Sequence, residues 1–325
     1  VSISQRKIHS PAPRFVFHLG PFRFESEIDI PELRTSAGPG EKAVTIRLGA
    51  VPASLSNAIR DGDLCQITPT ECLLDIPGTA RYYVRNGNEV RLQLAPDAPA
   101  ADVSTYLLGS VFGVLCHQNG MLPLHASAIE CAGAVTAFLG DSGAGKSTLA
   151  ASLQRRGHRI VADDICLIDP DSDSEPLQVV PVAGWLKLWS EALQHLGETP
   201  VEQNRVFSTD DKFRIFLPPP LANSTLSPLR LARVVFLARS PDLRSPPSLE
   251  LLPVLHAIAG LMEMTYAGYV PSLGGQKSRL FQRCAGVLRH AQAFRLTLPW
   301  GLDRIDSVLD LLETDLLGNT SKSPH

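Results

Sequence analysis

From Phe15 to Leu94 the apolar positions come in short runs broken by turn residues, a pattern that predicts strands. Phe15-Val16-Phe17-His18-Leu19, a Gly20-Pro21 turn and Phe22 to Ile28 predict a hairpin whose second arm alternates apolar and polar positions. Further strands are expected at Ala43–Leu48 and Leu64–Ile67. Arg81–Arg85, Asn86-Gly87 and Glu89–Leu94 form the clearest hairpin, because Asn-Gly supplies the positive φ of a type I′ turn. Antiparallel strands without helices predict a small β-rich domain over residues 1–99. It has a loosely held start over residues 1–14, and Pro96-Asp97-Ala98-Pro99 serves as the linker.

Beyond the linker the period changes. Leu107, Leu108, Val111, Val114 and Leu115 fall on one face of a helix over Val103–His117, with Gly120 just past its end, placed to pack between the two parts. Strands are then expected at Leu122–Ile129 and Ala134–Leu139, a helix at Ser147–Arg156 stopped by Gly157, and a strand at Arg159–Asp164. Asp169–Glu175 reads as a solvated acidic loop. Thr209–Leu217 reads as a strand stopped by Pro218-Pro219-Pro220, and Leu231–Ala238 as a buried strand. After Pro253 come a helix through Ala257, Ile258 and Leu261, a Pro271–Lys277 stretch able to close over a site, and a helix through Leu280, Cys284 and Val287. A strand at Phe294–Leu298, a final helix through Ile305, Val308 and Leu312, and a frayed tail from Gly318 to His325 complete the chain. Strands alternating with helices make the fold class α/β, with a second domain over residues 100–325.

Composition narrows the classes. With 325 residues and 44% hydrophobic content the chain can bury a large core. A net charge of −3 and a pI near 6.3 give no electrostatic reason to expect a nucleic-acid partner. Cys65, Cys72, Cys116, Cys131, Cys166 and Cys284 contain no C-x-x-C pair, and no signal peptide or long apolar run is evident. Reduced thiols, a cytoplasmic location and no membrane partner are therefore expected. No internal repeat is present.

The chemistry concentrates between His125 and Asp164. Gly140-Asp141-Ser142-Gly143-Ala144-Gly145-Lys146-Ser147-Thr148 matches the G-x-x-x-x-G-K-[ST] phosphate-binding loop and stands between an expected strand and an expected helix, as that motif requires. Glycines let successive N–H groups face an anion at a helix N-terminus; Lys146 offers a charge to β/γ-phosphates and Ser147 a hydroxyl to Mg²⁺. Asp163 and Asp164 end the next strand beside this loop, one placed to hold metal and the other to face an acceptor. His125 lies in the strand leading towards the loop. Lys212 and Arg214, two apart on a strand, are possible contacts to phosphates or an acidic peptide.

His125, the Gly140–Ser147 loop and Arg156-Gly157-His158-Arg159-Ile160-Val161-Ala162-Asp163-Asp164 together resemble the catalytic core of the HPr kinase/phosphorylase family, in order and spacing. The resemblance covers His125 to Asp164. It implies a P-loop kinase domain of the HPr kinase/phosphoenolpyruvate carboxykinase type behind the β-rich domain, using ATP and Mg²⁺. In that reading Asp163 takes the proton of an acceptor serine, His125 orients Asp163, Lys146 and Ser147 hold the nucleotide, and Asp164 joins Ser147 at the metal. The family's Glu-x-Arg-Gly-Leu-Gly segment is replaced here by Pro181-Val182-Ala183-Gly184-Trp185-Leu186-Lys187-Leu188-Trp189. This stretch is instead similar to HPr-kinase-related proteins that phosphorylate lasso-peptide precursors, which implies a peptide or small protein carrying the acceptor serine.

Overall fold

The computed structural model describes residues 15–35, 40–61, 64–170, 177–182, 184–217, 229–240, 242, 245–273, 275–299 and 301–317. The expectations for residues 1–14, 171–175, 218–220 and 318–325 lie outside them. Among the described residues the protein is mixed α/β, with two large sheets and a separate strand pair.

The first sheet contains Phe15–Leu19 (β1), Phe22–Ser26 (β2), Lys42–Leu48 (β3), Ile59–Asp61 (β4), Cys65–Ile67 (β5), Glu71–Ile76 (β6), Ala80–Arg85 (β7) and Glu89–Leu94 (β8). They lie in the order β1-β2-β3-β8-β7-β6-β5-β4. Both expected hairpins form, and the turn between β7 and β8 closes with Asn86 at φ 52° and Gly87 at φ 68°. The all-antiparallel expectation is corrected at β3, which runs parallel to both β2 and β8. A chain that leaves β2 through the 3₁₀ segment Pro31–Thr35 has room to cross over before β3, whereas the tight turns elsewhere force antiparallel neighbours. Strands β4 and β6 were not anticipated. Cys65 and Cys72 face each other as free thiols with sulfurs 3.9 Å apart.

A continuous helical stretch follows: Ala100–Tyr106 (α1), a π-helical turn at Leu107–Val111 and Phe112–Gln118 (α2), ended by Gly120 at φ 84°. Ala100–Gln118 is long and apolar enough by length and composition alone to cross a membrane. It is 67% buried inside the protein. The Tyr82 hydroxyl donates to the Val103 carbonyl at 3.1 Å, and Phe112 meets Phe22 edge to face. One buried apolar cluster runs from the first sheet through this helix into the second.

The second sheet holds Leu122–Leu124 (β9), Ala126–Cys131 (β10), Ala134–Leu139 (β11), Arg159–Ala162 (β12), Cys166–Ile168 (β13) and Gln178–Val180 (β14). Trp185–Trp189 (β15) and Lys212–Phe216 (β16) pair with each other outside the large sheet; Leu229–Arg239 (β17), Ser248–Leu251 (β18) and Gln292–Leu298 (β19) complete the large sheet. Its order is β12-β10-β11-β17-β14-β13-β9, with β19 beside β17 and β18 beside β19. Among the described residues β11–β17 and β17–β19 are the parallel pairs of this sheet and the other pairs are antiparallel, so the sheet around the loop is mixed. The expected single strand Leu122–Ile129 is broken at His125: β9 pairs with β13, whereas β10 pairs with β11 and β12.

Lys146–Arg155 (α3) and Ile305–Leu312 (α8) share a core with β15 through Leu149, Leu153, Leu188, Val308 and Leu312. Ser190–His195 (α4) follows β15 and adds Leu193 to that core. Val254–Glu263 (α5) and Lys277–His290 (α7) pack on the other cluster through Leu261, Leu280 and Cys284. The stretch expected to close over the site runs from the end of the helix Tyr269–Leu273 (α6) to the first residue of α7. Val270, Pro271 and Gln276 line a separate groove with His117, away from the cleft described below.

Candidate functional site

A cleft of about 310 Å³ opens where β11 gives way to α3. Strand β11 is buried throughout, so the chain must leave the sheet abruptly at Gly140. Gly140 takes φ 151°, and a Cβ there would lie 3.2 Å from that of Ala144 and 3.4 Å from the Leu237 carbonyl oxygen. Gly145, at φ 102°, is the N-cap of α3 and provides no capping side chain, so the first-turn N–H groups face the cleft. Ser142, Gly143, Gly145, Lys146, Ser147 and Thr148 line it. Asp141 and Ala144 serve the loop itself: Ala144 packs on Gly140, and the Asp141 carbonyl accepts a hydrogen bond from Lys146.

Lys146 is buried, with Nζ donating to the carbonyls of Gly140 at 2.6 Å and Asp141 at 2.9 Å. Burial pulls its pKa down to about 8, against the opposing pull of the Asp164 and Asp163 carboxylates. These two carbonyls satisfy the ammonium without neutralising it.

The paired aspartates follow β12. Asp163 is almost fully buried; Oδ1 accepts the Ser127 hydroxyl at 2.6 Å, Oδ2 accepts the Lys187 N–H at 2.8 Å, and the Ser147 hydroxyl nearby also favours its charged form. Burial raises its pKa, and these donors oppose the rise. Asp164 adopts φ 69°, a left-handed conformation that Asp tolerates. Its carboxylate lies 2.6 Å from Lys187 Nζ and 3.6 Å from His125 Nδ1. Burial would raise its pKa, but Lys187 and His125 outweigh that and hold it at about 2.

His125 sits in the break between β9 and β10. Its N–H donates to the Met264 carbonyl at 2.7 Å, and its ring lies against Tyr266, centroids 5.5 Å apart. Burial lowers its pKa, with Asp164 opposing. The expectation that His125 orients Asp163 is corrected: the neighbour of His125 is Asp164. Asp163, expected to face the acceptor, is instead bound by the Ser127 hydroxyl and the Lys187 N–H. The reason is the left-handed turn at Asp164, which alternation along an extended strand does not anticipate.

Lys212 lines the cleft, its ammonium 5.7 Å from the centre of the Trp189 ring. Arg214 does not reach the cleft. It is buried, donates to the carbonyls of Arg205 at 2.8 Å and Val206 at 3.3 Å and to the Thr105 hydroxyl, and lies 3.4 Å from Glu32. Glu32 in turn accepts from Ser104 at 2.5 Å, so Arg214 ties the strand that carries Lys212 to α1 and to the first sheet's 3₁₀ segment.

Sequence reasoning did not assign roles to Ser127, Lys187, Trp189 or Arg239, of which the last three line the cleft. Lys187 had a signal: a single cation between leucines in an otherwise apolar strand. Ser127 and Arg239 had none, since their places follow from strand pairing, Ser127 opposite Phe138 and Arg239 opposite Leu298.

No family model matches the sequence, and no curated protein matches it either. Among solved structures the chain is similar to the HPr(Ser) kinase/phosphatase from Coxiella burnetii, with 14% identity and a TM-score of 0.26, covering 58% of this chain and 85% of that one.

Proposed function

We propose that this protein is an ATP-dependent phosphotransferase that moves the γ-phosphoryl group to the serine hydroxyl of a peptide or small protein, a ribosomally made precursor peptide being the first acceptor to try. The observation that carries this reading is a lysine-bearing glycine loop lining the cleft with two adjacent buried carboxylates behind it, one held by Ser127 and the Lys187 N–H and the other paired with Lys187 and 3.6 Å from His125.

The residues fit Mg²⁺. A hydroxyl and a carboxylate are hard oxygen donors, and this ion is usually held by one or two carboxylates together with substrate phosphates and water. Among the described residues no group of three or more His, Cys, Asp or Glu side chains could hold a metal. Ser147 and Asp163 are the residues that would hold it. When bound, Mg²⁺ neutralises charge on the β- and γ-phosphate oxygens.

The chain's own groups do the rest. Lys146 exchanges two carbonyls for phosphate oxygens, and the loop N–H groups cradle the polyphosphate. The base in this reading is Asp164, because both Asp163 oxygens already accept hydrogen bonds. Asp164 takes the serine proton as the phosphoryl group transfers, and His125 fixes its direction. Among the described residues the first sheet lends no side chain to the cleft lining. Residues 1–99 are proposed to recruit the acceptor by pairing along β1, which ends the sheet on one side.

The test is incubation with γ-labelled ATP, Mg²⁺ and serine-containing peptides. A gain of ~80 Da on serine, the mass of one HPO₃, supports the reading. Steady phosphate release without transfer to any acceptor would replace it with a nucleotide-gated regulator, and transfer only to small hydroxyl compounds with a metabolite kinase.

A further inference from the structure

Strand β15 buries a lysine between two leucines. Leu186 and Leu188 enter the core shared with α3 and α8, and alternation places Lys187 on the opposite face. There its ammonium lies 2.6 Å from Asp164, 7% exposed, and lines the cleft. Its backbone N–H meanwhile donates to Asp163 at 2.8 Å, so one residue addresses both aspartates. Burying an ammonium is unfavourable unless it is paired, and the partner here is a carboxylate of the reaction centre itself.

Adjacent carboxylates beside a polyphosphate loop form the donor set at which two divalent cations can be clamped on a transferring phosphoryl group. One of the two positions is filled by protein. Resting on the phosphotransferase reading, we propose that the Lys187 ammonium takes the place of a second divalent cation at Asp164, so that the site works with a single metal and Lys187 is a catalytic residue. As the acceptor O–P bond forms and the bond from Pγ to the β,γ-bridging oxygen breaks, the acceptor proton passes to Asp164 and ADP leaves with the bonding pair. Lys187 moves from Asp164 to the oxygens of the transferring group. Its charge is thus supplied where negative charge develops, by a group already desolvated and held on a rigid strand.

The alternative role, simple neutralisation of two neighbouring carboxylates, predicts different behaviour. The full-length chain without nucleotide is titrated with Mn²⁺ and followed by electron paramagnetic resonance. Lys187→Gln should bind Mn²⁺ roughly 10–100-fold more tightly than the wild type, because Asp164 is released to a metal; Lys187→Arg should show no gain. In transfer assays Lys187→Gln should lose roughly 10²–10³-fold in kcat with little change in the KM for ATP, and recover partly at high free Mn²⁺. Unchanged Mn²⁺ affinity in a folded Lys187→Gln protein, or near-normal transfer, overturns the proposal. Should that variant fail to fold, the wild type decides. A second metal-dependent phase in its rate at saturating ATP overturns the proposal, and saturation by one metal supports it. If the wild type phosphorylates no acceptor, the phosphotransferase reading fails, while the Mn²⁺ titration still decides whether Lys187 fills a cation position.

Discussion

The two walls of the cleft are built on opposite plans. The glycine-loop wall comes from nine consecutive positions, Gly140 to Thr148, and presents mostly backbone to the cleft; its one ammonium rests on the loop's own carbonyls. The facing wall is assembled from His125 in a strand break and Lys187 on β15, which line the cleft, backed by Ser127 on β10 and by Asp163 and Asp164 after β12. A local wall needs only one turn to form. The assembled wall needs three strands in register before any of its hydrogen bonds exist, so it is also the wall on which a single side chain can be exchanged to separate chemistry from binding.

The largest effect is expected there. Asp164→Asn keeps the volume and removes the base, so phosphoryl transfer should fall by roughly 10²–10⁴-fold while ATP still binds. Single-turnover kinetics and calorimetry on the same preparation check both halves. Normal transfer by Asp164→Asn together with a dead Asp163→Asn would return the base to Asp163 and dissolve the contrast between the two carboxylates.

On the loop wall, Lys146→Ala should cost roughly 10²–10³-fold in kcat/KM and weaken ATP binding, since no other loop side chain carries positive charge. Calorimetric titration with ATP decides it, because unchanged affinity would remove the loop from the mechanism.

The difference between the walls also explains what was legible in the sequence. Gly140 to Thr148 could be read whole, because glycine spacing and the flanking apolar run are local properties. The Asn86-Gly87 hairpin could be read for the same reason. The parallel setting of β3 could not, since it depends on a crossover after the hairpin rather than on β3's own residues. Nor could the break at His125, which is fixed by the Met264 carbonyl from a distant segment. The pairing of His125 with Asp164 rather than Asp163 follows from a left-handed residue that no periodicity signals. Lys187 stood out by composition, but its partner emerged only when β15 met the end of β12.

A smaller effect separates the carboxylates by stability. Asp163 accepts from Ser127 on one oxygen and from the Lys187 N–H on the other. Asparagine can satisfy one of these donors and must turn its amide hydrogens towards the other. Asp163→Asn should therefore lose about 1–3 kcal/mol of folding stability, the usual cost of an unsatisfied buried group. Denaturant unfolding checks this against Asp164→Asn; equal losses in the two variants would mean that the assembled wall does not distinguish a structural carboxylate from a reactive one.

The smallest effect is in the pH dependence of ATP binding and tests the loop wall alone. In the free protein burial holds Lys146 at about 8. Bound phosphates favour the ammonium, so the lysine's pKa is higher in the complex than in the free protein. A group whose pKa rises on binding takes up a proton when binding occurs above its free value. ATP affinity should thus be flat below about pH 8 and fall by up to about tenfold per pH unit above it. Calorimetry at pH 8.5 in two buffers of different ionisation enthalpy should register uptake of most of a proton. Lys146→Arg, whose charge does not titrate in this range, should abolish the slope even if it binds more weakly. A slope that survives in Lys146→Arg would place the titrating group on the facing wall, and no slope in the wild type would mean that the loop carbonyls keep Lys146 charged throughout.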